Sequence, residues 1–222
     1  MQVSPKALTR HGRRADLVAM CTIAMLIWAI FHPAGERVFV IPSSAMAPTM
    51  ILGDRVVMAP YGGGDDPRRG DVIAFALPRD PFTIQAFRVV GLPGDTVQLV
   101  DGDVVLNGAP LARTPVGELA IDFGFETIPA EAWRETLPDG RAYTVAEAEP
   151  DGFLDDTPAF AVPAGHTFVL GDNRDNAADS RLPERVGFVP RPMIAGRMDH
   201  VLASCKDDGR FLADRTGLPI GP

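Results

Sequence analysis

The sequence predicts a mainly β protein of antiparallel strands, with a smaller inserted β region and one transmembrane helix ahead of it. Three observations carry that expectation. The 222 residues include 22 glycines and 21 prolines, roughly a fifth of the chain against a usual share of ~12%, and both penalise helix interiors. Short apolar runs alternate with turn clusters, as in a chain of many short strands. One run, Leu17 to Phe31, is fifteen residues long and carries no charge. A hydrophobic content of 46% with 23% charged residues excludes a disordered chain, and the length suffices for a sizeable core.

The charge is distributed unevenly. Residues 1–16 hold Lys6, Arg10, Arg13 and Arg14 against Asp16, while the rest of the chain carries 17 basic and 28 acidic side chains, a net of −11. The overall charge of −8 argues against a nucleic-acid binder, which needs a basic surface. The apolar run between the two parts is shorter than the ~20 residues of a standard span. It admits three readings: a cleaved signal, a buried core helix, or a short signal anchor. Residues 31–36 (FHPAGE) offer no convincing pair of small residues for cleavage, and a basic tail is an unusual lead into a core helix. The anchor reading makes 1–16 a cytoplasmic tail and 17–31 the span, aided by interfacial Trp28 and Phe31. The positive-inside rule then puts residues from about 33 onward outside the cytoplasm. The two cysteines, Cys21 and Cys205, make no disulfide framework and no cysteine-rich zinc site; both are expected as free thiols.

Strands are expected at Val38–Ile41, Arg55–Met58, Asp71–Ala76 and Phe87–Val90, with Tyr61–Arg69 a polar loop. Val97–Val100 and Val104–Leu106 flank Asp101-Gly102-Asp103, a hairpin signal. Residues 112–162 read as irregular, broken by Pro129, Pro138, Pro150 and Pro158, with one further strand at Arg141–Val145. Regular pattern resumes at His166–Leu170 and Ile194–Leu202, and the polar stretch Asp207–Pro222 is expected to be loose.

Four segments carry the functional signal: Ile41–Asp54 (IPSSAMAPTMILGD), Arg69–Phe75 (RGDVIAF), Arg88–Asp95 (RVVGLPGD) and Gly171–Arg181 (GDNRDNAADSR). Singly, each is dismissible as turn chemistry. In this order, behind an apolar anchor, they resemble the motif boxes of bacterial type I signal peptidase, over about residues 15–202. That resemblance implies a β-fold catalytic domain on the outer face of the inner membrane. Its family cuts exported preproteins after a small-x-small sequence with a serine nucleophile and a lysine base. No metal or cofactor is implied. It divides the chain into a core at 36–111 and 163–202, an inserted variable subdomain at 112–162, and a tail at 203–222.

The chemistry of the resemblance is missing from the residues. Pro42, Ser43, Met46, Pro48 and Thr49 fix the register of the first box, so the nucleophile position is Ala45, whose methyl group cannot attack a carbonyl. The general-base position, immediately before Arg88, is Phe87. The position whose hydroxyl would orient the base is Ala177. Lys6 and Lys206, the two lysines of the chain, lie in the two terminal segments. His11, His32, His166 and His200 fall outside the boxes, His166 reading as a strand residue. In an extended segment Ser44 points away from residue 45, and Ser43 sits about 6–7 Å along the strand; the resemblance gives Ser43 an oxyanion-hole role.

What the resemblance implies of the other residues is scaffold and pocket. Arg88, Asp172, Arg174, Asp179 and Arg181 match structural ion-pair positions. Phe39, Ile41, Met46 and Met50 match small-residue pocket positions, where core packing is an equally good reading. The leading expectation is a membrane-anchored pseudoenzyme that binds signal peptides, or a partner such as an active paralogue or the export machinery. The alternatives are a working peptidase with a non-standard nucleophile and an inactivated relict with a structural role.

Overall fold

The computed structural model describes residues 35–77, 79–206 and 209–222. The expected basic tail, the span at 17–31, Cys21, Lys6, His11 and His32 lie outside the described residues. Among those that are described, no helix is long and apolar enough to cross a membrane.

Fourteen strands run through the described chain: β1 (Arg37–Val40), β2 (Asp54–Ala59), β3 (Val72–Leu77), β4 (Asp80–Gly91), β5 (Thr96–Val100), β6 (Asp103–Leu106), β7 (Ala109–Pro110), β8 (Ala112–Asp122), β9 (Thr127–Thr136), β10 (Ala142–Glu147), β11 (Phe160–Ala161), β12 (His166–Leu170), β13 (Val189–Pro190) and β14 (Ile194–Ser204). A seven-stranded sheet has the order β1-β2-β14-β3-β4-β12-β13, a four-stranded sheet β11-β5-β6-β7, and a three-stranded sheet β10-β9-β8. All these strand pairings are antiparallel, so the expected mainly β antiparallel architecture is what forms. Residues Arg37–Pro222 make one compact unit.

The hairpin between β5 and β6 turns through Asp101 and Gly102 at φ of 50° and 78°. Two successive positive φ values match the strands' twist in a tight connection. β4 is longer than expected, because its exposed first half, Asp80–Ala86, reaches out in a hairpin with β3 and lacks a buried alternation.

Residues 112–162 depart further from the sequence reading. Instead of irregular chain they contain β8 and β9, whose register runs from Ala112↔Thr136 to Asp122↔Thr127. Pro129 is tolerated because β10 pairs with β9 only over Glu131–Thr136, leaving its other edge free at the proline. Pro115 lies on β8, at the edge of its sheet. Proline is accommodated where no ladder donor is required.

The last residues also differ from expectation. The amide of Val201 donates to Leu218 and that of Ile220 to Asp199, so the end of the chain runs back beside β14. Ile220 is buried, and Arg215 grips the fully buried Asp54 through Nε (2.9 Å) and Nη2 (2.6 Å). Far from loose, this segment covers a strand and neutralises a buried carboxylate.

Candidate functional site

The apolar core supplies the platform. Phe75, Val89, Met58 and Met198, from four neighbouring strands, pack with Ile41, Met46 and Met50 from the segment that follows β1. This segment is not extended, as the sequence reading assumed. It coils through turns over residues 43–50, held by the amides of Ala47 on the Ser44 carbonyl and of Met50 on Met46.

That turn changes where the serines point. Ser44 is buried, and its Oγ accepts from Asn176 Nδ2 at 3.1 Å. Its carbonyl accepts from Asn173 Nδ2 at 3.1 Å. The amide of Asn173 donates to the Ala45 carbonyl at 3.1 Å. Two asparagines of the loop after β12 thus clamp residues 44 and 45, while Ser43 is exposed and lines the adjoining groove. The sequence showed both asparagines inside a motif without revealing this contact.

Gly171 sits at the junction. A Cβ placed there would lie 2.2 Å from the Ala177 Cβ, 2.7 Å from the Ala45 carbonyl oxygen and 3.5 Å from Phe87 Cε1. No side chain fits, and the reason is that positions 45, 87 and 177 all close around this one glycine. The three positions singled out from separate motifs therefore meet in space. They bring together the Ala45 carbonyl oxygen, the Phe87 ring and the Ala177 methyl. Phe87 is buried and packs its ring 6.1 Å from that of Phe75.

Beneath this layer lies a set of buried ion pairs. Arg88 binds Asp172 with Nε at 2.7 Å and Nη2 at 2.6 Å, donates to the Gly70 carbonyl, and stacks 4.3 Å from the Tyr143 ring centroid. Thr49 donates its hydroxyl to the same carboxylate, which ties the turn to the pair. Burial pulls the Arg88 pKa down, but the Asp172 charge more than offsets this and the net shift is upward. Burial drives the Tyr143 hydroxyl well above its ordinary value. Arg181 forks onto Asp179, which also accepts the Gly171 amide. Arg174 pairs with Glu135 of β9 at 2.6 Å and donates to the Gly171 carbonyl. All five expected ion-pair residues are engaged. Glu135, their partner from the three-stranded sheet, was invisible in the sequence because it lies 39 residues from Arg174 with no motif around it.

A groove of about 710 Å³ opens over Ala45 and Phe87. Phe39, Ile41, Met46 and Met50 all line it. Its walls include β1, an edge strand, and residues 83–87 of β4. β12 pairs only with the far end of β4, Arg88–Gly91, so among the described strands residues 80–87 have a partner on one side alone. Both walls can therefore offer backbone donors and acceptors to an extended chain. Among the described residues, the groove lining contains no lysine and no histidine. Lys206 is engaged with Asp122 at 2.5 Å, and His166 and His200 bond to Ala164 and Asp199. Among the described residues, no group of three or more His, Cys, Asp or Glu side chains is placed to hold a metal ion.

Comparison with known proteins gives consistent results. A family model described as "Signal peptidase, peptidase S26" matches residues 14–203. Signal peptidase I of Rickettsia canadensis (strain McKiel) is 32% identical over 237 residues, covering 93% of this chain and 86% of that protein. Signal peptidase I of Rickettsia akari (strain Hartford) is 31% identical over 213 residues, covering 84% and 78%. A crystal structure of a signal peptidase I from Enterococcus faecalis V583 aligns at 27% identity over 60% of this chain and 97% of that one, with a TM-score of 0.35.

Proposed function

The chain belongs to the type I signal peptidase family, peptidase S26, and from that premise we infer that it is a non-catalytic member that binds signal peptides without cutting them. One observation carries the reading: the three positions that close around Gly171 hold Ala45, Phe87 and Ala177. Acyl transfer needs an activated nucleophile within hydrogen-bond reach of a base, and neither group is present at those positions.

Neighbouring residues do not replace them. Ser44 is buried and its hydroxyl is bound to Asn176, so it is turned out of the groove. Ser43 faces the groove, but among the described residues its lining provides no lysine or histidine to take a proton. The peptide-binding half of the reading rests on the groove itself. It retains apolar lining and two incompletely paired strand walls, which suit an extended segment with small apolar side chains.

The domain is placed at the outer face of the inner membrane by the same reading, anchored through residues 17–31. Val40 and Ile84 at the groove are exposed, as is Phe82 in the β3–β4 hairpin at 94%. Exposed apolar groups beside a binding groove suit a surface that rests against lipid.

The test is incubation of the purified protein with a preprotein carrying a small-x-small site. No cleavage above background is expected. Cleavage that disappears in Ser43→Ala or Ser44→Ala would overturn the non-catalytic reading. Inertness together with no binding of the preprotein would leave an export partner or an active paralogue as the ligand.

A further inference from the structure

The groove differs from a working peptidase site in charge as well as in reactivity, and that difference bears on which peptide it holds. In the reading above, on which this inference rests, the carbonyl of the cleavable bond lies at position 45. A precursor presents a neutral amide there. A cleaved signal peptide of the same sequence ends there in a carboxylate.

Around that point the Ala45 carbonyl oxygen, the Ala177 methyl and the Phe87 ring close on Gly171; none of them carries positive charge, and the carbonyl oxygen and the face of the ring both present negative potential. The nearest cation along the chain, Arg88, is unavailable. Adjacent strand residues point to opposite faces, and its guanidinium is committed to Asp172, Gly70 and Thr49. Arg79 and Arg185 line the groove, but Asp80 and Glu184 line it too and leave it no net positive charge, and Arg79 bonds to the Glu184 carbonyl. Asn176 Nδ2 donates one of its two hydrogens to Ser44 and can offer only a neutral second one. The donors open to an oxygen here, the Ser43 hydroxyl, the main chain at residue 45 and the Asn176 amide, are all neutral, so a carboxylate would exchange its hydration for uncharged partners and no adjacent counter-charge, which is unfavourable. An amide carbonyl would lose far less.

We propose that Phe87 makes the groove selective for uncut signal peptides over cleaved ones, so that the protein holds precursors and releases products. Phe87 is then a specificity-determining residue. The substitution that removes the base also removes the cation that would pair with a terminal carboxylate.

Three peptides of one sequence test this by binding to the full-length protein in detergent, read by calorimetry or anisotropy. The first runs through a small-x-small site. The second stops after the second small residue with a carboxamide. The third stops there with a free acid. The expected result is equal binding of the first two and at least about tenfold weaker binding of the acid. In Phe87→Lys the penalty on the acid should shrink or reverse, whereas in Phe87→Leu it should persist. Equal binding of acid and carboxamide to the parent protein would overturn the proposal while leaving the peptide-binding reading intact. Failure of all three to bind would overturn that reading itself. An unchanged penalty in a folded Phe87→Lys would overturn the assignment to Phe87; should that variant fail to fold, Phe87→Gln, a neutral donor at the same place, should narrow the gap, and an unchanged gap there would overturn it equally.

Discussion

Arg88 grips Asp172 through Nε and Nη2, 2.7 and 2.6 Å from the two carboxylate oxygens, with each side chain about 1% exposed. The pair joins the residue after Phe87 to the loop that contains Ala177, so it holds two of the three substituted positions in place. Breaking such a pair from one side leaves an uncompensated charge in the interior. Asp172→Asn should therefore lower unfolding free energy by about 3–5 kcal/mol, measured by urea denaturation. A cost under about 1 kcal/mol would mean that water reaches Arg88.

Restoring chemistry should need all the parts together. Ala45→Ser alone should be inert, because an unactivated hydroxyl is a poor nucleophile at neutral pH. Phe87→Lys alone should cost roughly 2–4 kcal/mol by replacing a packed ring with a buried amine. The double variant should show weak cleavage, and adding Ala177→Ser should raise it by a non-additive factor, as for residues that act as a unit. The main chain at residue 45 and Ser43 would still supply an oxyanion site, worth ~10²–10³ in rate. Product formation by mass spectrometry on a preprotein cut by an active homologue is the readout. A folded triple variant that binds the preprotein yet leaves it intact would show that more than these three side chains has been lost.

The end of the chain should be structural. Arg215→Ala strips the fully buried Asp54 of its charge partner, so a loss of about 3–5 kcal/mol is expected. Arg215→Lys should recover only part of it, since an ammonium cannot reproduce the two-pronged contact. Thermal and urea unfolding of both variants checks this, and unchanged stability in Arg215→Ala would refute it.

Asp95 gives the fold an acid-sensitive corner. Burial works against its charged form, but hydrogen bonds from Asn107 and the Leu92 amide, together with Arg69, hold its carboxyl below the usual range. A carboxyl depressed in the folded state stabilises above its unfolded pKa of ~3.9, and that contribution is lost as pH falls through the folded value. Asp95→Asn should thus be less stable than the parent near neutrality, with the gap narrowing in acid. Urea midpoints for both proteins at neutral pH and near pH 3 measure it. A gap that stays constant would rule out the linkage.

Local signals in the sequence exposed some of this arrangement and missed the rest for identifiable reasons. Asp101-Gly102 announced its hairpin because the residues that tolerate positive φ are few. Ala45, Phe87 and Ala177 could be picked out because each sits at a fixed offset within a motif, although the sequence could not show that they meet at Gly171. β9 was hidden by Pro129, which suggests a break unless the free edge beside it is known. Ser44 was placed in an extended segment because no local signal announced the coil of residues 43–50, and its partners Asn173 and Asn176 come from more than 120 residues away. Glu135 and Arg215 resemble surface charges until their partners across the fold are seen.

The glycine at 171 has a consequence for heredity. Its Cα faces Ala177, the Ala45 carbonyl and the Phe87 ring, while its amide and carbonyl are held by Asp179 and Arg174. A side chain gained at this codon would disturb the groove floor and the ion pairs at once, so a lineage is free to vary the positions around it before it is free to vary this one.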